Sequence, residues 1–168
     1  LICTSACLAG EVARHIHHND FEEAARRIEF YKNLFGDDYY LEVMRHQTNI
    51  PGADTTVYEV QQVVNEKIFE YGEKYGAKVI ATNDVHFVSK EDGPAHDRLI
   101  CLTTNENYDE PKRLRYTQQE YLKSQEEMSE LFSDHPEVIA NTLEIADKIE
   151  RYSIDSDPIL PHFDIPDN

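Results

Sequence analysis

The stretch Ala77-Lys78-Val79-Ile80-Ala81-Thr82-Asn83-Asp84-Val85-His86-Phe87-Val88 divides into two halves of different character. Residues 77–81 are mostly small or β-branched apolar groups, the composition of a short buried strand. The polar residues Asn83, Asp84 and His86 then fall at its carboxyl end. In α/β folds that end is where loops carry chemistry on a rigid base. On an extended backbone Asp84 and His86 point to the same side. A carboxylate and an imidazole converging there can hold a divalent metal. The same spacing also fits a plainer arrangement, with Asp84 capping the next helix and His86 at the surface.

Working upstream, Val57, Val60, Val64, Ile68 and Tyr71 repeat at helical spacing toward Gly76, which predicts a long helix before the strand. The polar segment 47–55, holding Pro51-Gly52, reads as a loop long enough to border a site. Before it, residues 39–44 are aromatic and β-branched and predict another strand. Glu42 and His46 lie four apart and share one face of that strand if it stays extended. Asn19-Asp20, with Glu22 and Glu23 behind, starts a helix that Gly36 ends. Residues 1–6 predict a strand and 8–16 a short helix with Gly10 near its start. His15, His17 and His18 read as a solvated helix end, where imidazolium suits the negative pole.

Downstream, Ser89 and Asp92 predict a helix start, with Ala95, Leu99, Ile100 and Leu102 as its apolar face and His96 on it. Residues 105–116 form a polar connector. Thr117 with Glu120, Ser124 with Glu127, and His135-Pro136 each predict the opening of a further helix. Strands alternating with helices over the first hundred residues, roughly one domain's worth, indicate an α/β protein with a parallel sheet or barrel, followed by a helical tail.

Sixteen Lys and Arg against 33 Asp and Glu give the 168-residue chain a net charge of −17. That balance opposes a grip on a nucleic-acid backbone, and Lys112, Arg113 and Arg115 make only a small basic cluster. No apolar run is long enough for a membrane span. Cys3, Cys7 and Cys101, odd in number and in apolar contexts, read as reduced buried thiols of a cytoplasmic protein. A zinc site at Cys3 and Cys7 lacks a second ligand pair nearby. The chain opens on Leu1 and ends in a proline-bearing stretch, which reads as a segment of a longer polypeptide.

Four segments, in order, resemble the PHP (polymerase and histidinol phosphatase) domain in the version carried by the alpha subunits of bacterial DNA polymerase III. They are residues 4–11 (TSACLAGE), 40–46 (YLEVMRH), 81–87 (ATNDVHF) and 109–113 (DEPKR), the last followed by Tyr121 and Glu126-Glu127-Met128. The resemblance implies a distorted (β/α) barrel of which residues 1–103 are the C-terminal half. Residues 104–150 would be a helical extension of that domain, and 151–168 a linker toward the polymerase palm. It places metal ligands at His46, Asp84 and His86 and implies zinc, manganese or iron; Glu42, Asn83 and His96 read as structural residues or as supports of those ligands. The family's His-x-His and further ligands would lie upstream of Leu1. Magnesium for polymerisation would belong to the palm.

Three functions follow. The first is a PHP segment of a replicative polymerase with 3′-5′ exonuclease or pyrophosphatase activity. DNA and deoxynucleotides would meet its other domains, and proofreading and clamp subunits would be its partners. The second is a free-standing PHP phosphoesterase. The third is a metal-free scaffold for partner subunits.

Overall fold

A computed structural model describes residues 1–159. The elements are β1 (Cys3–Thr4), α1 (Glu11–His17), α2 (Phe21–Phe35), β2 (Tyr39–Val43), α3 (Val57–Tyr75), β3 (Lys78–Ala81), α4 (Gly93–Thr104), α5 (Gln125–Leu131) and α6 (Pro136–Asp147). The strands form one parallel sheet in the order β1-β2-β3. Tyr40 is opposite Lys78 and Val43 opposite Ala81, so the ends of β2 and β3 are level. β2 is buried at Tyr39, Tyr40, Leu41 and Val43 alike, as expected of a central parallel strand covered on both faces.

The boundaries have local causes. Asp20 accepts the Glu23 N–H at the start of α2. Gly76 ends α3 with φ 62°, a left-handed conformation that costs glycine little. Ser124 and Glu127 exchange side chain-to-backbone bonds at the start of α5, and Pro136 occupies the first turn of α6. Gly10 has a steric role: a Cβ there would lie 2.2 Å from the Ser5 carbonyl oxygen.

Val12, Ile16 and Ile28 of the first two helices, Leu41 and Val43 of β2, Val64 and Ile68 of α3, and Phe132 and Val138 form one continuous core. α6 lies along β3, where Asn141 donates to the Val79 carbonyl and covers the sheet edge. Glu144 accepts from Tyr40 Oη at 2.8 Å and pairs with Lys78. The Arg45 guanidinium meets the Asp134 carboxylate through two bonds of 2.6 and 2.8 Å and stacks 4.7 Å from the Phe132 ring centroid.

Several expectations are corrected. Thr117 does not open a helix. Its N–H and hydroxyl both reach Glu120 Oε1, as a capping pair would, but Gln118 has φ 61° and closes a turn. Tyr121 then pairs with Phe87 in an isolated parallel bridge. On α4 the buried residues are Gly93, Asp97, Ile100 and Cys101, whereas Leu99 and Leu102 face outward. Asp97 turns inward because Arg113 is there to meet it. Arg113 is itself buried and leaves the surface basic cluster. Of the cysteines only Cys101 is fully buried; Cys3 and Cys7 are partly exposed, and all three are free thiols. Among the described residues, 151–159 carry no regular secondary structure, and the rest of the stretch expected to be a linker, 160–168, lies outside them. No helix among the described residues is long and apolar enough to cross a membrane.

Candidate metal-binding strand ends

The ends of β2 and β3 are tied together by polar groups. Thr82 N–H continues the ladder to the Val43 carbonyl at 3.1 Å. The Glu42 carboxylate accepts from Ala6 N–H at 2.9 Å and from Thr82 Oγ1 at 2.6 Å, joining all three strand ends. Asn83 is buried, and its amide donates to the carbonyls of Gln119 and Tyr121 at 2.9 and 2.7 Å.

Beyond Asn83 the strand does not continue straight, because Asp84 has φ 43°. The pair expected from the two-residue spacing nevertheless converges: Asp84 Oδ1 lies 3.6 Å from His86 Nε2, and both side chains are about one-third exposed, at 39% and 32%. The Glu120 carbonyl accepts the His86 N–H at 2.8 Å and fixes the backbone there. The His86 ring lies among Tyr116 and His96, with centroids 4.7 and 5.6 Å away. Burial, together with the neighbouring His86, lowers the His96 pKa and favours its neutral form.

His46 is placed differently from Asp84 and His86. It is 4% exposed, with Nε2 3.2 Å from the Asn83 carbonyl and Nδ1 3.1 Å from Gln61 Nε2. Burial pushes its pKa down. The neighbouring Glu120 is equally buried. Its Oε1 is taken by Thr117, and its Oε2 has no hydrogen-bond partner among the described residues. His46, Asp84 and Glu120, with Gln61, Arg115 and Tyr116, line a cavity of about 330 Å³ at the strand ends.

Among the described residues no three His, Cys, Asp or Glu side chains are gathered closely enough to hold a metal ion. The donors present fit such an ion in part. Asp84 and His86 supply a converging carboxylate and imidazole, while both ring nitrogens of His46 are engaged elsewhere.

Sequence reasoning missed Gln61 and Asn65, which interrupt the apolar stripe of α3 one turn apart and bond the His46 N–H and the Met44 carbonyl. Their polarity on a buried face was the available signal. It also missed the whole wall 117–123. There Lys123 stacks 4.0 Å from the Tyr121 ring and approaches Asn83 Oδ1 at 3.2 Å, with its pKa lowered by burial to about 8.

The sequence profile of the PHP domain matches residues 1–46. The DNA polymerase III subunit alpha of Borreliella burgdorferi is 41% identical over 99% of the chain. That of Campylobacter jejuni is 36% identical over 97%, and that of Treponema pallidum 36% identical over 99%. The chain spans 14% of the length of each of these relatives. Relatives of one name, matched along almost the entire chain, place it in the DNA polymerase III alpha-subunit family, with PHP-domain sequence over its first 46 residues.

Proposed function

We propose that the chain is a segment of a replicative DNA polymerase alpha subunit whose PHP domain is a metal-dependent phosphoesterase acting at DNA 3′ ends. Residues 1–103 would be the later strand–helix units of the barrel, 104–150 its helical extension and 151–168 the connection toward the palm. Polymerisation, its magnesium ions, the contacts with DNA and deoxynucleotides, and the proofreading and clamp partners would belong to other parts of a cytoplasmic polypeptide.

The observation that carries the phosphoesterase reading is the convergence of His86 with Asp84, which lines the strand-end cavity. These two residues would hold the ion. When bound, zinc, manganese or iron supplies Lewis-acid polarisation of a phosphoryl oxygen. The chain's own groups do the rest. Asn83 and the Glu120 carbonyl fix the backbone on either side of Asp84. His96 and Tyr116 restrict the His86 ring.

The test compares metal content and 3′-5′ exonuclease activity of the protein with those of the Asp84→Asn/His86→Ala variant. Metal affinity is expected to fall by more than the roughly 10–100-fold that loss of a supporting residue costs, and activity with it. Absence of zinc, manganese and iron from the wild type, or equal activity in both, overturns the reading.

A further inference from the structure

We infer that His46 and Gln61 form a positioning pair that holds the Asp84–His86 strand end, with His46 acting through its Nε2–H and not as a metal ligand. The inference rests on the reading of Asp84 and His86 as the metal-binding pair and assigns what keeps them in place.

The contacts of His46 form a chain of donors and acceptors. The His46 backbone N–H points at Gln61 and must meet an acceptor, so the Gln61 amide presents its oxygen there, at 2.7 Å. The other end of that amide is then an NH₂, and it faces His46 Nδ1 at 3.1 Å. A donor facing Nδ1 requires a lone pair on Nδ1. The ring proton therefore resides on Nε2, which donates to the Asn83 carbonyl at 3.2 Å. The rival tautomer would send an Nδ1 proton to Glu120. That carboxylate oxygen is 3.7 Å away, beyond hydrogen-bond reach, and already accepts twice from Thr117.

The consequence lies one residue on. Asn83 is gripped at its side chain by the 117–123 wall and at its carbonyl by His46. The next residue, Asp84, has φ 43°, a conformation non-glycine residues seldom adopt without restraint. His46 supplies that restraint from the segment just after β2, and Gln61 supplies it from α3. A helix and two strands are thereby coupled to the direction in which the Asp84 carboxylate points.

The experiment has two readouts. In protein labelled with ¹⁵N-histidine, long-range ¹H–¹⁵N spectra identify which nitrogen of each of the eight histidines carries the proton, and His46→Gln assigns its own signal by loss. The expected pattern for His46 is a protonated Nε2 and an unprotonated Nδ1. Zinc or manganese titration is then compared among wild type, His46→Gln, whose amide N–H reaches as far as Nε2, and His46→Leu, which has no donor. His46→Gln is expected to stay within about threefold of wild type, whereas His46→Leu loses roughly 10–100-fold and shifts the His86 resonances.

Equal loss in both variants would make His46 a ligand and overturn the inference. Lower thermal stability with unchanged metal affinity would reduce His46 to a packing residue and also overturn it. If wild type binds no metal, the phosphoesterase reading fails on its own. The positioning inference is then judged by the spectra: an Nδ1 proton, or His86 resonances unmoved in His46→Leu, overturns it.

Discussion

Replacing Asp97 by alanine tests whether the buried contact between α4 and the connector 105–116 is a latch. The Arg113 and Asp97 side chains are 2% and 8% exposed and joined by two bonds of 2.6 Å. Arg113 also donates to the carbonyls of Tyr108 and Leu114, at 2.9 and 3.1 Å, and lies 4.9 Å from the Tyr108 ring centroid. Asp97→Ala leaves a guanidinium in a dry site with two carbonyls but no counter-charge. Removal of one partner from such a pair costs about 3–5 kcal/mol. The surviving carbonyl bonds put the expected loss at the lower end of that range.

The effect should be local. Among the buried residues forming the main core none belongs to α4 or to the connector, so the connector can detach while the sheet stays folded. At about 1.4 kcal/mol per tenfold, amide exchange of residues 105–116 should accelerate roughly a hundred- to a thousandfold, with β2 and α3 unchanged. The double replacement Asp97→Leu/Arg113→Met removes both charges and should recover most of the protection. Arg113 holds the Asp97 carboxyl below the usual carboxylate range. A depressed folded-state pKa means that the pair's contribution is complete above the unfolded value of about 3.9. It is lost as pH falls through the lower folded value. Wild-type connector exchange, corrected for its intrinsic pH dependence, should therefore be flat from neutrality down to the mid-acid range and rise only below it. Unchanged exchange in Asp97→Ala, or a double variant as labile as the single one, refutes the latch.

Other outcomes follow from single contacts. Gly10→Ala forces a Cβ against the Ser5 carbonyl and should lower stability by about 1–3 kcal/mol, seen as a reduced melting temperature. Asn83→Ala orphans the carbonyls of Gln119 and Tyr121. At about 1–3 kcal/mol for each buried group left unpaired, it should raise amide exchange across residues 117–123 before that of β3. Asp134 is held at about 2 by Arg45 but is 56% exposed. Solvent screening keeps its worth to about 0.5–1 kcal/mol, present above the ordinary carboxylate range and lost as pH drops toward 2. A double-mutant cycle of Asp134→Ala with Arg45→Ala measures it directly.

What the sequence disclosed depended on how local the physics was. Gly76, Pro136 and the Ser124–Glu127 pair act within a few residues, and each marks a helix boundary where expected. Thr117 and Glu120 have the same spacing and make the same bonds, yet close a turn. What decides it is the positive φ of Gln118 and the pairing of Tyr121 with Phe87, and neither is encoded by the spacing. The apolar face of α4 was misjudged because Asp97 counts as polar until its partner, 16 residues away, is in place. Asp84 and His86 were legible as a pair because they share one short strand end. The state of His46 was not, since it depends on Gln61 from a helix 15 residues on and on a carbonyl 37 residues on.

The polar residues at the strand ends fall into two groups with different physical states. Glu42, His46 and Asn83 are bonded from two or more directions by backbone or buried side chains. Asp84 and His86 project beyond them, partly exposed, with each other as neighbours. Glu120 stands between the groups: buried, with one oxygen satisfied by Thr117 and the other by nothing among the described residues. A buried carboxylate oxygen without a donor is costly, and among the described residues Glu120 is the one member of this cluster that carries that cost. The bonded group thus surrounds the strand ends from behind, and Glu120 and Asp84 line one cavity in front of it.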